Sequence, residues 1–276
     1  EIKKTPKKTY APLLYDLTEL QREANQRFGY SAKETLNIMQ RLYENHKVLT
    51  YPRTDSRYLS KDIVPTIKDR LEACGTGPYR KLAMTAKKKD LSGKLAFVND
   101  AKVSDHHAII PTEQFVDLSH MTNEERKIYD LVVRRFLAVL YPPFEYEQTQ
   151  VTVKVGGETF LASGKIVKAQ GWRAAYEEEV YSAEDEEEEE AYESGKSLKG
   201  QTLPELEKGQ EIKGLVLSLT EGKTKPPAHF NEATLLSAME NPTAYMESHD
   251  KAMAKTLGET GGLGTVATRA DIIEKL

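Results

Sequence analysis

The stretch Val48-Leu49-Thr50-Tyr51-Pro52-Arg53-Thr54-Asp55-Ser56-Arg57-Tyr58 gathers a phenol, a guanidinium, small hydroxyls and a carboxylate within a few residues. Pro52 fixes its own φ, lacks an amide hydrogen and biases Tyr51 toward extended backbone. A tyrosine held that way at a strand end projects into a groove instead of a core. With an ordinary pKa of about 10 its phenol is a weak nucleophile at neutral pH. A neighbouring cation favours the phenolate, and Arg53 can also grip a phosphate through two parallel N–H bonds. The chemistry this spacing suits is attack of the tyrosine on a phosphodiester. Composition alone also allows a plainer reading, a buried tyrosine in a short strand with Arg53 and Asp55 as a local ion pair.

Two further stretches carry reactive or phosphate-binding types. Val103-Ser104-Asp105-His106-His107-Ala108-Ile109-Ile110-Pro111-Thr112 places two histidines side by side in a loop. They are metal-ligand types without further metal-type residues clustered nearby, so alone they read as structural or surface groups. Gly261-Gly262-Leu263-Gly264-Thr265-Val266-Ala267-Thr268-Arg269-Ala270-Asp271 is a glycine-rich turn opening a helix, a device that presents free amides to a phosphate.

The elements that must position these residues follow from periodicity. Apolar residues at Leu14, Leu17, Leu20, Ala24 and Phe28 predict a helix over Leu13 to Phe28, stopped by Gly29. Ser31 with Glu34 is a capping box for a helix from Ala32 to Asn45 that turns Leu36, Met39, Leu42 and Tyr43 inward. These two helices would hold a strand bearing Tyr51. Ser60 to Leu82 reads as a helix capped by Ser60 and restarted near Pro65, with a turn at Cys74 to Pro78. Lys87 to Lys89 with Lys94 reads as a solvated basic surface. Thr122 with Glu125 caps the cleanest helix, Thr122 to Leu140, and Pro142-Pro143 ends it. From Phe144 the period becomes two, with a hairpin turn at Gly156-Gly157, a second strand from Thr159 to Ala169 and Trp172 as a packing anchor. Strands return between Leu203 and Leu219, and Asn231 caps a helix facing Leu235, Leu236 and Met239 inward.

Composition bounds the rest. A chain of 276 residues, 39% hydrophobic and 30% charged, has room for two domains or parts of several. No apolar run approaches the roughly 20 residues of a membrane span, and no signal peptide opens it. Cys74 is the only cysteine, which excludes an intramolecular disulfide and a cysteine-rich zinc site and suits a reducing cytoplasm. The formal charge of −4 conceals an asymmetry. Residues 177–193 carry eleven acids and no Lys or Arg, so the remainder stands at +7. Only that basic remainder suits phosphates.

Leu49-Thr50-Tyr51-Pro52-Arg53-Thr54-Asp55-Ser56 resembles the active-site segment of type IA DNA topoisomerases, and the proline after the tyrosine resembles the topoisomerase III branch of that family. Leu14-Tyr15-Asp16-Leu17-Thr18-Glu19-Leu20-Gln21, the segment around His106, Pro226-Pro227-Ala228-His229-Phe230-Asn231-Glu232-Ala233 and the Gly264 to Arg269 segment are similar to further family motifs in the family order. Val266 stands where proline is usual.

The resemblance implies Tyr51 as the nucleophile that forms a 5′-phosphotyrosine bond, Arg53 as the phosphate-positioning cation and His106 as an assistant. As imidazolium His106 would bind a non-bridging oxygen, and as a general acid it would serve the leaving 3′ oxygen. It further implies DNA contacts at Thr54, Asp55, Thr268 and Arg269, and single-stranded DNA as partner. The implied fold is a multi-domain α+β chain. Residues 1–12 form an arch or linker strand, 13–142 a winged-helix-like tyrosine domain, 143–227 a β-rich arch segment with the acidic insert, and 228–276 the start of a helical base segment. The family's Mg²⁺ is held by a Toprim domain through a glutamate and an Asp-x-Asp pair. No Asp-x-Asp occurs here, so the expectation is a central piece of a longer enzyme of the bacterial cytoplasm and nucleoid. Its metal and its missing partner domain would lie in the N-terminal part. A non-catalytic DNA-binding module is the alternative.

Overall fold

The computed structural model describes residues 1–176, 226–246, 255–258 and 261–276, with scattered positions between 203 and 224. The acidic segment 177–193 and most of the strands expected between Leu203 and Leu219 lie outside the described residues. The fold mixes helices with one antiparallel sheet and divides into two compact units, one of residues 1–11 and 141–227, the other of 12–140 and 228–276.

In the first unit, β1 (Ile2–Thr9), β2 (Phe144–Val155) and β3 (Glu158–Ala169) form a sheet of order β1-β2-β3, antiparallel throughout. Gly156 and Gly157 both have positive φ, 58° and 90°, and make the two-residue hairpin that joins β2 to β3. A 3₁₀ turn, Gly171–Tyr176, packs on β2 through Trp172, which is 2% exposed and donates its indole N–H to Thr9 O at 3.1 Å. Trp172 is thus the packing anchor the sequence predicts.

The second unit is mainly helical. Helix α1 runs Leu17–Phe28, four residues shorter at its start than the apolar spacing suggests. Asp16 ends the extended segment, because its carboxylate accepts the Glu19 N–H and caps the helix there. Leu14 and Tyr15, fully buried, stay extended, and Tyr15 pairs with Ile109. Gly29, at φ 71°, closes the helix in the left-handed region. Helix α2 (Ala32–Glu44) has the Ser31–Glu34 capping box and buries Leu36, Met39 and Leu42. Tyr43 does not turn inward as expected but stays 38% exposed.

The strand expected at Tyr51 is absent. Leu49 makes one isolated bridge to Pro111, and no ladder continues it. Pro52 offers no N–H, and the Ile110 N–H is taken by the Thr50 hydroxyl. The helix expected from Ser60 to Leu82 is broken into a 3₁₀ turn (Lys61–Thr66), α3 (Ile67–Cys74), a second 3₁₀ turn (Gly77–Tyr79) and α4 (Arg80–Ala86). Ser60 makes no side-chain cap; Asp100 takes the Lys61 N–H instead.

Helix α5 (Asn123–Ala138) has the Thr122–Glu125 capping box and buries nearly its whole length, including Ile128, Leu131, Val132 and Phe136. Burial pushes the Glu125 carboxyl up, but hydrogen bonds from Arg41, the Thr122 N–H and His46 outweigh that and hold it below its ordinary range. Glu125 thereby fastens the start of α5 to the end of α2, just upstream of Tyr51.

Helix α6 (Glu232–Glu240) is capped by Asn231, and α7 (Arg269–Ile273) follows. Leu236 and Ala270 close on Ala32 of α2. Glu232 accepts the Ala32 N–H at 2.6 Å, and Arg22 of α1 reaches Glu240 at 2.7 Å.

Candidate active site

Three segments of the second unit converge around Tyr51. After α2, Lys47 takes a left-handed φ of 58°, the one such non-glycine among the described residues, and the Val48 N–H returns to Leu42 O. This turn aims the chain back along the loop Ser104–Thr112. Two threonines then clasp that loop on either side of the tyrosine. Thr50 exchanges main-chain contact with Ile110, its N–H donating to Ile110 O at 3.0 Å, while its hydroxyl accepts the Ile110 N–H at 3.0 Å and donates to Ala108 O at 3.3 Å. Thr54 donates its hydroxyl to His106 O at 2.9 Å and accepts the Ser56 N–H at 3.1 Å. From the other side, the Leu17 N–H at the start of α1 donates to Thr54 O. Arg57 Nε donates to Leu14 O.

The clasp brings the Tyr51 and His106 rings together, with centroids 4.3 Å apart and planes inclined by 36°. Tyr43 meets the Tyr51 ring edge-on at 5.6 Å. Tyr51 and His106 line an open cleft of about 340 Å³ that also includes His107, Asp62, Asp100 and Asp105. His106 is exposed; its neighbour His107 is half-buried. The His107 Nδ1 is held by Ala108 O at 2.7 Å, and burial pushes its pKa below the ordinary histidine value, with the charge of Arg70 acting in the same direction. Arg70 in turn donates to Pro111 O at 2.8 Å and fixes the far end of the loop. So the two histidines differ in kind, one free to meet a ligand and one tied into the wall.

Arg53 has a buried Nε with no hydrogen-bond partner among the described residues. A buried guanidinium N–H without an acceptor is costly, but Arg53 is not among the residues that line the cleft of Tyr51 and His106. Asp55 is exposed, whereas Thr54 is only 2% exposed. Thr54 therefore joins two loops, and its side chain does not face solvent as a DNA contact would. The same correction applies to Arg269. It is 4% exposed and donates to Leu263 O, Thr18 Oγ1, Glu240 Oε1 and Gly261 O, which engages its donors inside the protein. Thr268 stays exposed, with its hydroxyl accepting the Thr265 N–H.

Among the described residues no group of three or more His, Cys, Asp or Glu is placed to hold a metal ion. The three aspartates of the cleft are no exception, so the side chains present do not fit a resident cation.

A tyrosine ring set against an exposed histidine thus lines an open cleft on a mainly helical unit. The profile of the DNA topoisomerase family matches residues 1–276, the whole chain, and the chain belongs to that family, in its type IA class. It is 59% identical over 276 residues to DNA topoisomerase 3 of Bacillus subtilis (strain 168) and 60% identical to that of Bacillus licheniformis. All of this chain is covered in both comparisons, but it spans only 37% and 36% of those relatives' length. Full-length topoisomerase I from Thermotoga maritima has the same fold over 100% of this chain and 39% of its own, with a TM-score of 0.64 at 24% identity.

The threonine clasp escaped the reading of the sequence. Thr50 and Thr54 flank Tyr51, one position before it and three after, in the string Thr-Tyr-Pro-Arg-Thr, and that spacing is its one visible signal.

Proposed function

We propose that the chain is the central part of a type IA DNA topoisomerase, in which Tyr51 opens one DNA strand and reseals it without ATP. The Tyr51 oxygen attacks the scissile phosphorus, the bond from phosphorus to the 3′ oxygen breaks, and the phenolic proton is lost as the 3′ oxygen gains one. The product is a 5′-phosphotyrosine ester and a free 3′ hydroxyl. Resealing is the reverse attack, and no ATP enters because the ester conserves the bond. Arg53 holds a non-bridging oxygen, and His106 either shares that charge or hands the 3′ oxygen its proton. Passage of a second strand through the gap would relax or decatenate DNA.

The Tyr51–His106 ring pair at 4.3 Å carries this reading, because a phenol and an exposed imidazole so placed share one ligand. Arg53, with its orphaned Nε, supplies the electrostatic partner. Mg²⁺ belongs to the same proposal as a group held by carboxylates of a Toprim domain outside this chain, and no step here passes through it. The partners are single-stranded DNA and that N-terminal part of the same protein, in the bacterial cytoplasm at the nucleoid.

The test is relaxation of negatively supercoiled plasmid by the full-length protein with Mg²⁺ and without ATP. Relaxation that is lost with Tyr51→Phe supports the proposal. A Tyr51→Phe protein that still relaxes plasmid refutes it, and a wild type that binds DNA without relaxing it leaves the binding module in its place.

A further inference from the structure

The two faces of the three-stranded sheet differ in charge. Side chains alternate along a strand, so the pairing register assigns each residue to a face. Lys3 stands opposite Gln150, Lys7 opposite Tyr146, and Gln148 opposite Lys165. One face therefore carries Lys3, Lys7, Lys154 and Lys165, interleaved with Thr5, Gln148, Gln150, Thr152, Thr159 and Ser163 and with the exposed Leu161 and Val167. No Asp or Glu of the strands points that way. The opposite face carries Lys4, Lys8 and Lys168 against Glu145, Glu147 and Glu158, and Lys8 is paired with Glu145 at 2.6 Å. One face is thus strongly basic and the other balanced. Glu1, just before β1 and opposite Thr152, is the one carboxylate that the register places at the rim of the basic face among the described residues.

The four lysines are exposed, and Lys3, Lys7 and Lys154 meet no carboxylate among the described residues. Arg173 lies over the Phe144 ring at the same end as Lys165, which sits over Phe144 and Tyr146, so that end gains a further cation. The spacing also fits a polyanion. At about 3.3 Å per residue Lys3 and Lys7 are roughly 13 Å apart along β1, and strands about 4.8 Å apart put β1 and β3 roughly 10 Å across. Tyr146 is 8% exposed, so no open aromatic platform for stacking bases stands among the lysines. The recognised chemistry is the phosphate backbone, without reading of sequence.

We infer that the lysine-bearing face of the β1–β3 sheet is a sequence-independent docking surface for duplex DNA, separate in residues and unit from the Tyr51 site. This rests on the reading of the chain as part of a DNA topoisomerase. Each lysine neutralising one phosphate contributes about 0.9 to the slope of log K against log salt.

The experiment measures binding of a 30-base-pair duplex to full-length protein across a salt series. It compares wild type with Lys3→Gln/Lys7→Gln/Lys154→Gln and with a control of equal charge on the other face, Lys4→Gln/Lys8→Gln/Lys168→Gln. Lys165 is spared because it packs on two rings. The expected result is a salt slope shallower by about 2 to 3 for the first variant and changed by less than about 0.5 for the control. Equal slopes for the two variants, or no change in the first, would overturn the inference. Covalent trapping of single-stranded DNA by the wild type, run in parallel, separates the two levels. Absence of an adduct counts against the topoisomerase reading, and an adduct with equal slopes counts against this surface alone.

Discussion

Replacing Thr54 by valine keeps the shape of a buried side chain while deleting both of its hydrogen bonds. The hydroxyl that donates to His106 O at 2.9 Å is lost, and the Ser56 N–H, on a residue 4% exposed, is left without its acceptor. A hydrogen bond contributes about 1 kcal/mol net, and an orphaned buried N–H costs about 1–3 kcal/mol, so Thr54→Val should lower stability by about 2–4 kcal/mol. The loop would also lose the hydrogen bond that ties His106 itself to the tyrosine segment. The ring pair at 4.3 Å then loosens, and misplacement of about 1 Å can slow chemistry by roughly 100-fold. Thermal unfolding of the full-length protein gives the first quantity, and the rate of covalent adduct formation on single-stranded DNA gives the second. Thr54→Ser, which retains the hydroxyl, should recover most of the rate. A Thr54→Val protein within about 0.5 kcal/mol of wild type and with an unchanged rate would refute the role assigned to the clasp.

Burial, reinforced by Glu240 and Glu19, raises the Asp16 pKa to about 6 despite the Glu19 N–H and Arg57. Its folded value lies above its unfolded one, so the ionised form carries a penalty that is absent below about pH 4, grows between about pH 4 and 6 and is full above that. Asp16→Asn keeps the helix cap and removes the charge, and should therefore raise stability by about 1–3 kcal/mol at pH 7.5 and little at pH 4, as read by thermal unfolding. Arg269→Ala should cost about 2–4 kcal/mol, since it removes the hydrogen bonds to Gly261 O, Leu263 O and Thr18 Oγ1, while Glu240 keeps Arg22; a shift under about 1 kcal/mol would leave Arg269 available for the DNA contact the resemblance implies. Gly171→Ala should destabilise the sheet unit by about 2 kcal/mol or more, because φ is 50° and a Cβ would collide with the Pro143 carbonyl. Loss of protection of β1–β3 in hydrogen exchange would register it.

The helices were legible because their signals are local. Ser31–Glu34 and Thr122–Glu125 are capping boxes in the structure as in the sequence, and the period-two stretch from Phe144 forms its hairpin at Gly156-Gly157. The misses share a physical cause in contacts remote in sequence. Leu14 and Tyr15 fit a helical stripe, yet the Ile109 N–H claims Tyr15 O from 94 positions away. Leu49 and Thr50 read as strand, yet a threonine side chain displaces the ladder. In the site, residue types singled out Tyr51, Arg53 and His106, and the structure brings the Tyr51 and His106 rings into contact. Type alone could not show that Arg269 is held inside by its hydrogen bonds while Arg53 keeps a buried Nε without a partner.

The most direct measurement is covalent trapping by the full-length protein with Mg²⁺ on single-stranded DNA labelled at its 3′ end, stopped in denaturant and followed by peptide mapping. The label should stay with the protein, on the peptide containing Tyr51, and vanish with Tyr51→Phe while DNA binding persists. A label mapped to any other residue, or retained by Tyr51→Phe, would contradict the assignment of Tyr51 as the nucleophile.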